Sequence, residues 1–188
     1  MQQVNIVFQG KVKELQIVAR YPTMDDIEVL QQFINEASAE RTFISLQGET
    51  FSFEEEAQYL ESVLTKIEVC NAVKLMVFAG EELLAVGDVT RMKASTCSHV
   101  ASLGIIVAKA ARGKGIGKKL MELLINESRD KLPGIEMIIL SVYQQNEIAR
   151  KLYASLGFKE YGRLPNGRKR GSEYDDEIEM YLPITPSS

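Results

Sequence analysis

The stretch of this chain best suited to chemistry is Arg112-Gly113-Lys114-Gly115-Ile116-Gly117, continuing into Lys118. It follows the apolar run Leu103-Gly104-Ile105-Ile106-Val107 and opens a longer segment in which Ile116, Leu120, Leu123 and Leu124 share one side at helical spacing. Glycine lets backbone N–H groups come close to a ligand, and the head of a helix carries unpaired donors and partial positive charge. Such a turn cradles an anion, best a phosphate or pyrophosphate. Arg112, Lys114 and Lys118 can add side-chain charge.

Two familiar phosphate motifs fail here. A P-loop needs a glycine five residues before its Gly-Lys pair, but Arg112 holds that place before Gly117-Lys118, and Lys119 replaces the Mg²⁺-binding hydroxyl. A dinucleotide fingerprint, GxGxxG, ends on Lys118 or Leu120 instead of glycine, and an antiparallel approach to the turn suits it badly. Arg-x-x-Gly-x-Gly, read as Arg112, Gly115 and Gly117, remains, against a bare glycine-rich linker.

The elements around this turn set its context. Glu14–Arg20 alternates as a strand, with Val4–Phe8 as an added strand beside it. Thr23 caps a helix from about Asp25, and Ser52 with Glu55 has capping-box spacing for a second helix to about Val69. Ala72–Ala79, Leu83–Met92 and His99–Val107 are three strand-like runs with short polar connections, an antiparallel meander. The helix Gly115–Asp130, the strand Met137–Val142 and the helix Asn146–Leu156, stopped by Gly157, come next. Phe158–Arg163 and Glu173–Leu182 then close the pattern around a polar loop. The expectation is one α/β (α+β) domain over residues 1–188, with an extra strand in 1–10 and a tail at 183–188.

Bulk properties narrow the function. The chain has 188 residues, 45% hydrophobic and 26% charged, with a net charge of -4. That balance disfavours a general nucleic-acid binder. Two cysteines, Cys70 and Cys97, and a single His99 make neither a disulfide framework nor a zinc set, so no metal is expected. No window has the roughly 20 apolar residues of a membrane span, and Met1–Gly10 lacks signal-peptide features. A cytoplasmic location, with no membrane partner, is expected.

On these motifs the chain resembles the GNAT superfamily of acyl-CoA-dependent N-acetyltransferases. The turn after Val107 is one carrier of the likeness. The other is Asn146-x-x-Ala149-x-x-Leu152-Tyr153 followed by Gly157-Phe158, which matches the family's second block in order and spacing. The resemblance implies a mixed, mostly antiparallel sheet of about seven strands flanked by four helices. It implies that acetyl-CoA is the cosubstrate, held by Ile105, Ile106, Val107, Arg112, Gly113, Lys114, Gly115, Ile116, Gly117, Lys118, Asn146 and Tyr153. A backbone N–H near Ile105–Val107 would polarise the thioester, and Tyr153 would be the acid that protonates the departing thiolate. The implied reaction is direct attack by a primary amine in a ternary complex, and homodimers are common among similar proteins.

Helical phase supports part of this independently: Asn146 and Tyr153, seven residues apart, fall nearly on one line. Ala149, Leu152 and Leu156 point to another sector, towards the sheet. Asn146 also suits a plain N-cap, and Tyr153 a surface aromatic. The base is open. Many family members carry a glutamate where this chain has Ser102. His99, Glu49, Glu54 and an acid within Tyr174–Met180 are alternatives, and none is chosen. The acceptor is open too, a small amine or a protein amine. Arg163, Arg168, Lys169 and Arg170 either attract an acidic acceptor or form a solvated loop. A non-catalytic acyl-CoA sensor of the same fold is the alternative function.

Overall fold

The computed structural model describes residues 4–184. The first three residues of the expected N-terminal strand region, and the expected tail from residue 185 onward, lie outside the described residues.

Among the described residues eight strands form one sheet in the order β1-β2-β3-β4-β5-β6-β8-β7, in line with the mostly antiparallel sheet of about seven expected. They are β1 (Ile6–Val12), β2 (Leu15–Arg20), β3 (Ala72–Ala79), β4 (Glu82–Arg91), β5 (Val100–Val107), β6 (Met137–Tyr143), β7 (Lys159–Arg170) and β8 (Glu173–Pro183). Four helices flank the sheet: α1 (Ile27–Ala39), α2 (Phe53–Glu68), α3 (Ile116–Lys131) and α4 (Glu147–Ser155). Every strand pair is antiparallel except β5 and β6.

The two faces of the sheet bury different helices. Alternation along β3 and β4 sends Val73, Leu75, Val77, Ala85 and Val89 into the core that also holds Leu120, Leu123 and Leu124 of α3. The opposite positions, Met76, Phe78 and Val86, pack with Leu30 and Phe33 of α1 and Leu60 of α2. Gly87 fits the first face because a Cβ there would lie 2.8 Å from both Ile105 and Leu124.

Helix starts follow the sequence closely. Ser52 accepts from the Glu55 amide at 3.2 Å while Glu55 accepts from the Ser52 amide at 2.8 Å. Thr23 instead opens a short 3-10 turn, Met24–Asp26, before α1. There the Asp26 carboxylate accepts from the Thr23 amide (2.7 Å) and from both arms of Arg20 (2.5 and 2.7 Å).

The expected polar loop after Arg163 is a correction. β7 runs on to Arg170, with register shifts between Glu160 and Gly162 and between Leu164 and Arg168. Those bulges hide its alternation from a simple reading. Its charges pair across to β8: Arg163 with Asp176, Arg168 with Glu177, and Arg170 with Glu173.

Candidate active site

β5 and β6 are partners only over Val100–Ser102 and Met137–Ile139. Beyond that point β5 stays beside β4, and β6 stays beside β8, so the two strands part. The Ala108 amide donates to Leu84 on β4 (2.9 Å), whereas the His99 carbonyl accepts from Met137 on β6 (3.2 Å). Alternation therefore turns the peptide groups of Leu103, Ile105 and Val107 towards the gap. Ile106 turns its peptide to β4 and its side chain into the cavity beside the gap.

The glycine turn stands next to this edge. Gly115 caps α3 at φ +87°, a conformation that side chains rarely adopt, and no side chain caps the helix. Lys119 is the first residue to bond back, donating to the Gly115 carbonyl at 3.1 Å. The amides of Ile116, Gly117 and Lys118 thus have no intrahelical partner. The Ile116 side chain is fully buried, so its amide is what it presents. A Cβ on Gly117 would stand 3.4 Å from Val107 and 3.8 Å from both Ile105 and Leu152. The head of α3, the end of β5 and α4 therefore meet at this one glycine. The β1–β2 hairpin supports the turn from outside, with Lys13 Nζ donating to the Gly113 carbonyl at 2.8 Å.

Arg112 is engaged with the protein itself. Its Nη atoms donate to Glu40, beyond the C-terminus of α1, at 2.8 and 3.0 Å, and its Nε donates to the Val107 carbonyl at 3.0 Å. Lys114 and Lys118 are exposed beside the turn.

A cavity of about 450 Å³ opens where β5 and β6 part. Asn146 and Tyr153 both line it, as their spacing on α4 requires. Asn146 also caps α4, its Oδ1 accepting from the Ala149 amide at 3.2 Å. Tyr153 packs on Phe158 with ring centroids 6.1 Å apart, and burial pushes its phenol up to about 12. The α1–α2 loop contributes Phe43, Ile44, Ser45 and Leu46 as a wall. Tyr143 fastens that wall, its hydroxyl donating to the Ile44 carbonyl at 3.4 Å and its ring meeting Phe43 edge-on.

The cavity floor is the face of β3, β4 and β5 that looks towards α1 and α2. Register places Lys74 opposite Asp88 and Asp88 opposite Gly104, with Thr90 opposite Ser102 in the next row. Lys74 is only 2% exposed and donates to the Tyr59 hydroxyl at 3.2 Å. Behind it Glu56 is 4% exposed with its Oε1 unpaired; burial raises its carboxyl, and the Lys74 charge only partly offsets that. Arg168 also faces the cavity, its Nε buried and unpaired while an Nη donates to Ser141 and pairs with Glu177.

The other candidates are placed elsewhere. His99 is exposed and does not line the cavity, and Glu54 is exposed in the first turn of α2. Glu49 closes its own loop, accepting from the Gln47 amide and the Ser38 hydroxyl. On β8, Asp175 holds the Gln145 amide, Asp176 holds Arg163 and the Asn166 amide, and Glu179 accepts from Tyr161. Sequence reasoning missed Lys74, Asp88, Tyr59 and Glu56. The signal for two of them was a charge interrupting an apolar strand, Lys74 in AVKLMVFA and Asp88 in AVGDVT.

A family model described as the acetyltransferase (GNAT) family matches residues 33–158. The sheet, the parted strands and the glycine turn define a GNAT domain, and the chain belongs to that family. It is similar to the L-amino acid N-acyltransferase MnaT of Escherichia coli, 33% identical over 78 residues, 41% of this chain and 44% of that one. It is also similar to the [ribosomal protein bS18]-alanine N-acetyltransferase of Haemophilus ducreyi, 36% identical over 74 residues, 36% of this chain and 50% of that one. These matches span half or less of the curated relatives' length. Among solved structures, yncA of Salmonella typhimurium, a putative acetyltransferase with its cofactor acetyl-CoA, superposes with a TM-score of 0.79 at 18% identity, over 92% of this chain and 96% of that one.

Proposed function

We propose that this chain transfers the acetyl group of acetyl-CoA to a primary amine, by direct attack with both substrates bound. The observation that carries the reading is the parting of β5 and β6 beside unpaired amides at the head of α3, with Tyr153 facing the same cavity. Pyrophosphate is the anion that suits this turn. Gly113 through Lys118 would receive it, the amides of Ile116, Gly117 and Lys118 donating and Lys114 and Lys118 adding charge. The role first expected of Arg112 changes: its fork to Glu40 and Val107 suits it to holding the turn against β5.

The Leu103 carbonyl, the Ile105 peptide and the Val107 amide would pair with the pantetheine arm, and an amide in that stretch would stabilise negative charge growing on the thioester oxygen. Tyr153 stays protonated throughout the working range and would give its proton to the departing sulfur. Asn146 would flank the arm on the α4 side. The acceptor belongs beyond the acetyl carbon, over the Lys74–Asp88–Gly104 floor. The relatives' names, one an amino-acid acyltransferase and one an alanine acetyltransferase acting on a ribosomal protein, support an α-amino group as acceptor. The continuous sheet supports a single domain, and the free thiols Cys70 and Cys97 suit a reducing cytoplasm.

The test is thiol release from acetyl-CoA across free L-amino acids, short peptides beginning with alanine, and polyamines. Release with at least one α-amine is expected. Tight acetyl-CoA binding without release on any of them would favour the sensor instead.

A further inference from the structure

We infer that Asp88 is the base that deprotonates the acceptor amine, acting through a water held over Gly104. The inference rests on the transferase reading above and adds a residue to it. Among the described residues lining the cavity, Asp88 is the one carboxylate, and no histidine lines it. Ser102, on β5, offers only a hydroxyl. Asp88 stands one strand away on the same face, directly across from Gly104.

Three features make that position workable. A Cβ on Gly104 would meet nothing within 4 Å, so open space lies between the carboxylate and the edge where β6 departs. The adjacent strand is about 4.8 Å away, which is the reach of one bridging water. Thr90 donates its hydroxyl to Asp88 Oδ2 at 3.2 Å, which fixes the carboxylate, and Ser102 opposite Thr90 supplies a second polar group for the water.

The protons balance. An ammonium N–H proton passes through the water to the Asp88 carboxylate, leaving a free amine. Its lone pair forms the C–N bond as the C–S bond breaks. The sulfur takes the Tyr153 proton, and the second proton lost from nitrogen returns to that phenol oxygen. Asp88 then releases its proton to solvent.

The experiment is the pH profile of Asp88→Asn, assayed with whichever panel amine the wild-type chain acetylates fastest, alongside calorimetric acetyl-CoA affinity. Near pH 7, kcat/KM is expected to fall about a hundredfold with acetyl-CoA affinity unchanged. The deficit should shrink above the amine's own pKa, about 8 for a peptide N-terminus. Below it the variant's rate should track the free-amine fraction. Adding Ser102→Glu, which returns a carboxylate to the same face, should recover part of the loss. If Asp88→Asn does not fold, Asp88→Ser carries the same test. A variant rate equal to wild type, or a deficit identical at every pH, would overturn the role of Asp88 alone. No release by the wild-type chain on any amine would overturn the transferase reading and this inference with it.

Discussion

The two halves of the site are made of different material. The edge beside α3 consists of peptide groups: the free amides of Ile116–Lys118 and the edge of β5 around Ile105 that β6 leaves unpaired, kept accessible by Gly115 and Gly117. The floor opposite consists of side chains from separate strands, Lys74, Asp88 and Thr90, with Tyr59 brought in from α2. A backbone cradle tolerates almost any neighbouring side chain but not a lost glycine. A side-chain floor has the reverse tolerance. The first material suits a ligand that never changes, and the second suits one that differs between relatives.

The sharpest way to break that contrast is to put a side chain into the cradle. Gly117→Leu would bring a branched chain to where Val107, Ile105 and Leu152 already lie 3.4–3.8 Å from a Cβ. The remaining open direction is the one a pyrophosphate would use. Acetyl-CoA affinity is expected to fall about a hundredfold, roughly 2.7 kcal/mol, in isothermal calorimetry, while the melting temperature changes little. Unchanged affinity would place the diphosphate elsewhere.

Tyr153→Phe tests the seam between the two halves, and its expected effect is smaller. Turnover should drop at least about tenfold at saturating substrates, with acetyl-CoA affinity retained, because only the proton donor is lost. The sign of the pH dependence follows from burial. A phenol pushed up to about 12 stays protonated as the pH rises through 7 to 10, so its loss of a proton should not limit wild-type kcat below about pH 11. A rate falling with a midpoint near 9 would mean that another group is the acid.

The same contrast explains what could be read from the sequence. The candidate cradle is local: its glycines, the strand before it and the helix after it fall within Leu103–Leu124, so a spacing argument is enough to propose it. Asn146 and Tyr153 were legible because one helix fixes their relative phase. The floor is not local. Lys74 and Asp88 face each other only after β3 and β4 pair, and Gly104 completes the row only once β5 adds to them. Each charge by itself reads as an odd residue in an apolar strand. The bonds of Arg112 were hidden for the same reason, since Glu40 lies 72 residues away. β7 was truncated in the reading because its two register shifts break strict alternation. The Arg163–Arg170 run reads as free positive charge until β8 lies beside it and pairs with most of that charge.

Lys74→Met probes the floor alone and carries the smallest expected effect. Methionine keeps the length and apolar stem that β3 buries but removes the donor to Tyr59 and the charge beside Asp88 and Glu56. Glu56 then loses the one pull that opposes its burial, so its carboxyl rises further. The fold should persist, because the methionine fills the space that Lys74 occupies. Asp88 keeps Thr90 but loses the cation opposite it on β3. The acceptor KM is expected to rise about fivefold and kcat to fall by less, while acetyl-CoA affinity stays within twofold, since no part of the cradle touches Lys74. If acetyl-CoA affinity fell in parallel with acceptor use, the two halves would be energetically one site, and the division between backbone and side-chain recognition would fail.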